Sequence, residues 1–278
     1  MTGKRQHWSY SAINQYLRCP LQFYFERVLR LPRKTVSSGL VLGSAVHAAL
    51  ATFHRGLMAA REPDRKEVLK SFLTEWHYRE SLEEIQFRAG ESESSLAELG
   101  MSLIETYLAD HVQDTIVSVE QSIKVPMQNS QGIYLEVPLA MIADLVTRNN
   151  DGLKIVEFKT AGRSYSTLEV DSSLQATCYA NGLWETYAEL ATIEFAVMVK
   201  TKKPKLQRIE TRRGHVDFGR LGDVVETIER AIAVDAFFPV ETPLNCSGCP
   251  FREPCLEWRP GAGNVSENCS QSREAESC

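Results

Sequence analysis

The sequence predicts an α/β fold in which a central β-sheet is flanked by helices. Three observations lead there. Apolar residues recur at helical spacing through most of residues 9–113. The pattern then switches to alternation over residues 115–159, returns to helix at 171–188, and ends in two strands and a helix. With 278 residues, 43% hydrophobic and 24% charged, the chain can bury a sizeable core. Collagen-like, disordered and coiled-coil classes are excluded. No run approaches the roughly 18 apolar residues of a membrane span. No apolar segment follows the N-terminal residues in the manner of a secretory signal, so a cytoplasmic protein is expected.

Taken in order, residues 9–30 read as a helix with a break. Ser9 or Ser11 can cap the first part, and Pro20 fits the first turn of a second, which carries Leu21, Phe23, Tyr24, Phe25, Val28 and Leu29. Residues 32–38 read as a loop. An apolar helix follows over 39–57, with Leu42, Val46, Leu50 and Phe53 on one face and Gly39 and Gly43 permitting close packing. Two acidic amphipathic helices, 64–88 and 94–113, read as a helical insertion spanning 61–113. Strands are expected at 115–127, 132–147 and 153–159. The last two are joined by Asn149-Asn150-Asp151-Gly152, a tight-turn signal. A helix over 171–188, strands over 192–200 and 205–211, and an amphipathic helix over 215–236 complete the pattern. A Cys- and Pro-rich loop occupies 240–258, and 261–278 has the composition of a disordered tail. Residues 1–260 are thus expected to form a single functional domain.

The net charge of −5 taken alone argues against a nucleic-acid partner. Its distribution does not. Residues 1–60 carry a net of +7 and residues 197–220 a net of +6, whereas residues 61–120 carry −8. Two basic blocks are therefore separated by acidic ones. They are either solvated faces or the walls of a positive groove.

The most informative stretch is 140–160. Asp144 sits in an apolar strand. Glu157 and Lys159 lie two apart on the next strand and share a face. Carboxylates in apolar strands are costly unless paired or metal-bound. The trio reads either as a site for a hard divalent cation with a lysine beside an attacking water, or as a buried Glu–Lys pair with a strand-end Asp.

In this stretch the sequence resembles the RecB-like branch of the PD-(D/E)XK nuclease superfamily. The resemblance rests on Asp144 followed by Glu157-Phe158-Lys159, on Gly43-Ser44-Ala45-Val46-His47 upstream, and on Gln175-Ala176-Thr177-Cys178-Tyr179 downstream. Ser9-Tyr10-Ser11, Cys19-Pro20 and Phe23-Tyr24-Phe25 fit the same order. One departure is Met141, where many relatives have Gly three residues before the metal-binding Asp. The resemblance implies a restriction-endonuclease-like core with a mixed sheet. It also implies a metal-dependent DNA phosphodiesterase in which His47, Asp144 and Glu157 bind Mg2+ or Mn2+. Lys159 would orient the attacking water, and Gln175 and Tyr179 would contact phosphate or support the lysine. His47 by itself, on an apolar helix, reads more readily as a core or interface histidine.

Cys246, Cys249 and Cys255 sit in the Pro-rich loop, and Cys19 stands more than 200 residues upstream. One close pair, a third cysteine and a distant fourth suit an iron–sulfur cluster, with a zinc clasp on the same ligands as the alternative. The resemblance favours a [4Fe-4S] cluster, because iron–sulfur relatives such as AddB-type nuclease domains and CRISPR-adaptation exonucleases place one cysteine before the core and three after it. Such a clasp would join the two ends of the chain. Cys178 reads as a core residue, and Cys269 and Cys278 as tail residues that are not ligands. The basic blocks would then track DNA, through Arg18, Arg27, Arg30, Arg33 and Lys34 on one side and Lys200, Lys202, Lys203 and Lys205 on the other.

The function implied is a single-strand exonuclease acting in DNA repair or recombination, with DNA strands or ends as its partner. A CRISPR-adaptation-type nuclease, a non-catalytic DNA-binding scaffold of the same fold and a metal-clasped interaction domain are the competing readings. No Gly-x4-Gly-Lys-Ser/Thr motif is present, so any unwinding would come from a helicase partner.

Overall fold

A computed structural model describes residues 5–33, 35–61, 64–111 and 113–259. Lys34, the segment 261–278, Cys269 and Cys278 lie outside the described residues. The chain forms two compact units. Of the described residues, 35–227 with 5–10 make up one, and 11–33 with 228–259 the other.

The first of these units is built on a five-stranded sheet of order β3-β4-β5-β6-β7. The strands are β3 (Thr115–Val125), β4 (Leu139–Asn149), β5 (Gly152–Ala161), β6 (Thr192–Val199) and β7 (Lys205–Arg212). All neighbours are antiparallel except β5 and β6, which are parallel, so the sheet is mixed. The parallel pair needs a crossover. Helices α6 (Thr167–Asp171) and α7 (Leu174–Tyr187) supply it. A short parallel pair, β1 (Thr35–Ser37) with β2 (Glu84–Gln86), stands apart from the main sheet.

Helix α3 (Ser38–Met58) starts where Ser37 Oγ accepts the Leu40 N–H, and it buries Val41, Leu42, Ala45, Val46, Ala49, Leu50 and Phe53. Helix α4 (Arg65–Leu82) is capped by Asp64, and α5 (Glu93–Leu108) by a box formed by Ser92 and Ser95. Val68, Phe72 and Trp76 of α4 and Leu103, Ile104 and Tyr107 of α5 join α3 and the sheet residues Leu145, Val156, Phe158, Ala196 and Met198 in one core. At about 1.5–3 kcal/mol for each large apolar side chain fully buried, residues 61–113 contribute substantially to this core.

Helix α7 packs on β3, β4, β6 and β7. A Cβ at Gly182 would lie 2.5 Å from the Met141 sulfur, so the glycine on the helix makes room for the methionine on the strand. The departure at Met141 is thus matched within the fold. Arg213, buried after β7, donates to the Val170 and Asp171 carbonyls and to Thr177, tying α6 to α7. Helix α8 (His215–Ala233) lies close against the loop after β3, where a Cβ at Gly222 would meet the Gln128 carbonyl at 2.0 Å.

In the second unit, α1 (Tyr10–Arg18) leads into α2 (Pro20–Phe23) and a π-helical turn (Tyr24–Val28). Leu21, Phe25 and Phe251 form its small core, with Cys19, Cys249, Cys255 and Trp258 packed against it. Two short helices, α9 (Pro243–Cys246) and α10 (Arg252–Glu257), carry the cysteine-rich segment.

Several boundaries differ from the sequence reading. Residues 132–137 are not strand, because Asn129 Oδ1 accepts the Gln131 and Ile133 amides in a turn where Gly132 has φ 75°. The expected helix at 64–88 ends at Leu82, and Glu84–Gln86 pairs with Thr35–Ser37 in what read as a loop. The helix expected over 171–188 is α7, which begins at Leu174 because Ser173 caps it, and the short α6 precedes it. Gly39 and Gly43 seat no helix. An added Cβ there would meet only Lys200 Nζ at 3.9 Å and Thr160 Oγ1 at 3.6 Å.

His54 of α3 is fully buried. It stacks on Phe158 with ring centroids 5.9 Å apart, and its Nε2 meets Tyr107 OH at 2.8 Å. Burial, helped by His111 and Arg208, pushes it down to about 3. A free histidine titrates near 6.5, so between pH 6.5 and 3 the unfolded chain takes up a proton that the folded one refuses. Stability is then lost as pH falls, by about 1.4 kcal/mol per unit. The difference in unfolding free energy between wild type and His54→Gln, measured by urea titration at pH 7 and pH 5, should shrink as the pH falls. A difference independent of pH would contradict the assignment.

Candidate active site

The ladder between β4 and β5 runs from Asn149–Gly152 to Leu145–Val156 and stops there. The next residues are Asp144 and Glu157. Where the strands part, Asp144 Oδ2 accepts the Phe158 N–H at 2.9 Å and replaces a ladder bond. Phe158 is held from its side chain as well. Its ring lies in the core, with His54 stacked on it, Tyr107 edge-on at 5.2 Å and His47 edge-on at 5.9 Å.

Alternation along β5 places Glu157 and Lys159 opposite to Phe158, toward α7. Glu157 is 3% exposed. Its Oε1 accepts from Lys159 Nζ at 2.7 Å and from Gln175 Nε2 at 2.8 Å, and its Oε2 accepts from Tyr179 OH at 2.6 Å. Gln175 Oε1 accepts from Lys159 Nζ at 2.8 Å, and Gln175 Nε2 also reaches Tyr179 OH at 3.0 Å. Gln175 and Tyr179, one turn apart on α7, therefore hold the Glu157–Lys159 pair in place.

His47, on α3, brings Nδ1 to 3.3 Å from Asp144 Oδ1. Burial disfavours its charged form, but Asp144 and Glu157 outweigh that and raise it to about 9. For Asp144 the desolvation is overcome by His47 and the Phe158 N–H, which hold it below the usual carboxylate range. Glu157 goes the other way, pushed up by burial and by Asp144. Lys159 is raised, because Glu157 outweighs its desolvation. Burial and the Glu157 charge keep the Tyr179 phenol neutral.

A cleft of about 630 Å³ reaches this group at His47, Phe158 and Lys159. Gly39, Gly43, Ser44 and His47 of α3 line it, with Arg55 at one end, Arg79 of α4, Glu120 of β3 and Lys159. Glu120, Arg55 and Arg79 escaped the sequence reading, since each sits in an ordinary amphipathic pattern. Glu120 carried one signal, a lone acid in the strand that neighbours Asp144. Burial and Asp144 raise Glu120. Tyr10 lies within electrostatic reach of Lys159 and Glu157.

The other expected residues fall as follows. Cys19, Cys246, Cys249 and Cys255 are free thiols lining one small cavity of the second unit. Burial, with the neighbouring thiols, pushes Cys249 and Cys255 up. Cys178 is buried within α7, its thiol pushed up to about 12 by desolvation. Arg18 bonds Asn245 Oδ1, and Arg27 bonds Gln15 and Ser11, so both guanidiniums are engaged within their own unit. Arg30 is exposed. Lys202 and Lys203 are exposed in the β6–β7 turn, whereas Lys200 is half-buried.

The family model of the PD-(D/E)XK nuclease superfamily matches residues 7–256. The chain belongs to this superfamily. Nucleases of the superfamily use divalent metals, and the acidic group around Asp144 is a candidate site for one. Among solved structures, the chain is similar to a candidate exonuclease from Eubacterium rectale, with a TM-score of 0.54 and 11% identity over 96% of this chain and 93% of that one. At that identity the likeness is one of fold. A second structure, SSO0001, aligns at a TM-score of 0.33 and 12% identity over 87% of this chain and 92% of that one, too low to carry an argument. No curated protein matches the chain. No helix among the described residues is long and apolar enough to cross a membrane.

Tyr179→Phe should leave the fold intact and lower metal-dependent cleavage about 10- to 100-fold, the usual cost of losing a group that orients a ligand carboxylate. Unchanged cleavage would show that Tyr179 does not position Glu157.

Proposed function

We propose that the protein is a metal-dependent, RecB-like DNA nuclease that digests single strands from an end, acting in DNA repair or recombination. One observation carries this reading. Asp144, Glu157 and Lys159 converge where β4 and β5 part, with His47 at hydrogen-bonding distance from Asp144. The charges there favour a cation. Asp144, Glu157 and Glu120 in their charged forms outnumber imidazolium and ammonium by one. When bound, Mg2+ or Mn2+ would lower the pKa of a water and neutralise charge on the scissile phosphate.

The chain's own groups supply the rest. His47, Asp144 and Glu157 hold the cation. Lys159, fixed by Glu157 and Gln175, presents its ammonium to the attacking water and to the developing charge. Arg55 and Arg79 offer guanidiniums to the backbone of the strand in the cleft. A volume of about 630 Å³ is that of a small-ligand site, which suits a nucleotide or two of a single strand better than a duplex. The exposed Lys202 and Lys203, with Arg30, are the remaining cations we assign to DNA.

The four thiols are assigned to a [4Fe-4S] cluster. They are free and share one cavity, and Cys19 comes from one end of the chain while the other three come from the opposite end. Four thiolates, each able to bind its own iron, suit such a cluster. Leu21, Phe25 and Phe251 shield it on one side.

End-labelled single-stranded DNA with Mn2+ tests the activity. Wild type should degrade it, and a chelator should abolish cleavage. Asp144→Ala and Lys159→Ala should lose at least about 10²-fold. Wild-type rates in Asp144→Ala would contradict the reading. Anaerobically purified protein should be brown with bound iron and sulfide, and a colourless zinc protein would overturn the cluster alone.

A further inference from the structure

We propose that Glu120 of β3 is a further ligand of the active-site cation, an inference that rests on the nuclease reading above. The residue comes from a different strand than the Asp and Glu-x-Lys pair. Val119 pairs with Leu145 and Gln121 with Ala143, which sets Glu120 directly across from Asp144. Two like charges facing each other across a ladder are destabilising. Among the described residues the Glu120 carboxylate has no hydrogen-bond or ion-pair partner, and only the more distant charges of His47 and Arg55 offset the repulsion. It is half-buried and lines the cleft rather than open solvent.

Its backbone is also unusual. Glu120 has φ 51°, the left-handed region, inside a strand. A residue other than glycine adopts this at a cost of order 1 kcal/mol or more. One donor atom each from His47, Glu120 and Asp144 lies within 4.8 Å of the other two. An octahedral cation with bonds of about 2.1 Å spans donors roughly 3–4.2 Å apart, so a small closure brings all three to one ion. Glu157, by contrast, already accepts from Lys159, Gln175 and Tyr179. Glu120 therefore has more free lone pairs than Glu157, and it lines the cleft.

The test is Mn2+ binding to the full-length protein, followed by calorimetry and by the rise in thermal midpoint that Mn2+ induces. Glu120→Gln should bind Mn2+ at least about tenfold more weakly, or lose one ion, and show a smaller rise. In chelator its midpoint should equal or exceed that of wild type, because a like-charge pair has been removed. Glu120→Asn, which tolerates the left-handed backbone, should behave the same way. Wild-type Mn2+ affinity and midpoint shift in both variants would overturn the proposal. Asp144→Asn separates the two readings. If it loses Mn2+ binding and cleavage while the Glu120 variants do not, only the Glu120 assignment fails. If it loses neither, the nuclease reading itself fails.

Discussion

The hydrogen bond from the Phe158 amide to the Asp144 carboxylate is the contact on which the site depends. Two antiparallel strands joined by a tight turn would normally pair along their whole length. Here they pair for five residues and then part. A parted ladder leaves amides and carbonyls without partners, which is costly in a buried place. Asp144 answers this with its own side chain and satisfies one amide on β5. The price is a buried carboxylate, and His47, Lys159 and α7 are arranged around it. Phe158 makes the arrangement rigid, since its ring is clamped by His54 and Tyr107.

The electrostatics follow from that first step. Burial and the Asp144 charge drive Glu157 up, Glu157 in turn raises Lys159, and Asp144 raises His47. Gln175 and Tyr179 donate to Glu157 and carry no charge, so they orient the carboxylate without neutralising it. The result is a site with more negative than positive charge on a cleft rimmed by Arg55 and Arg79. That polarity draws a small cation inward and leaves guanidiniums outside for a polyanion. The acidic total of the chain and its affinity for nucleic acid are thus compatible, because charge is sorted by place.

Much of this was legible in the sequence. Asp144, Glu157 and Lys159 stood out as charges in apolar strands joined by a turn, and Gln175 and Tyr179 stood one helical turn apart. Strand alternation and helix pitch put each pair on one face of its element, and the packing of α7 on the sheet brings the two pairs together. The order of the strands and helices was legible too, because periods of two and 3.6 are strong signals. What escaped had little or no local signal. Glu120 sits in a strand of mixed polarity, and its role comes from its partner across the ladder and a left-handed backbone. The β1–β2 pair joins segments nearly 50 residues apart, and the fresh cap at Ser173 looks like any serine. Segment 61–113 read as an insertion because its surface is acidic. Its buried face supplies Phe72, Trp76, Leu103 and Tyr107 to the core that backs Phe158. Gly182 and Met141 were likewise unreadable singly, since each makes sense only beside the other.

The central claim is that a divalent cation sits where β4 and β5 part. The most direct measurement is anomalous X-ray diffraction from crystals soaked in Mn2+. The account predicts a manganese peak bonded to the carboxylate of Asp144 and to His47, within reach of Lys159 only through a water. Manganese bound elsewhere, with the Asp144–His47 contact unchanged and no peak between the parted strands, would contradict it.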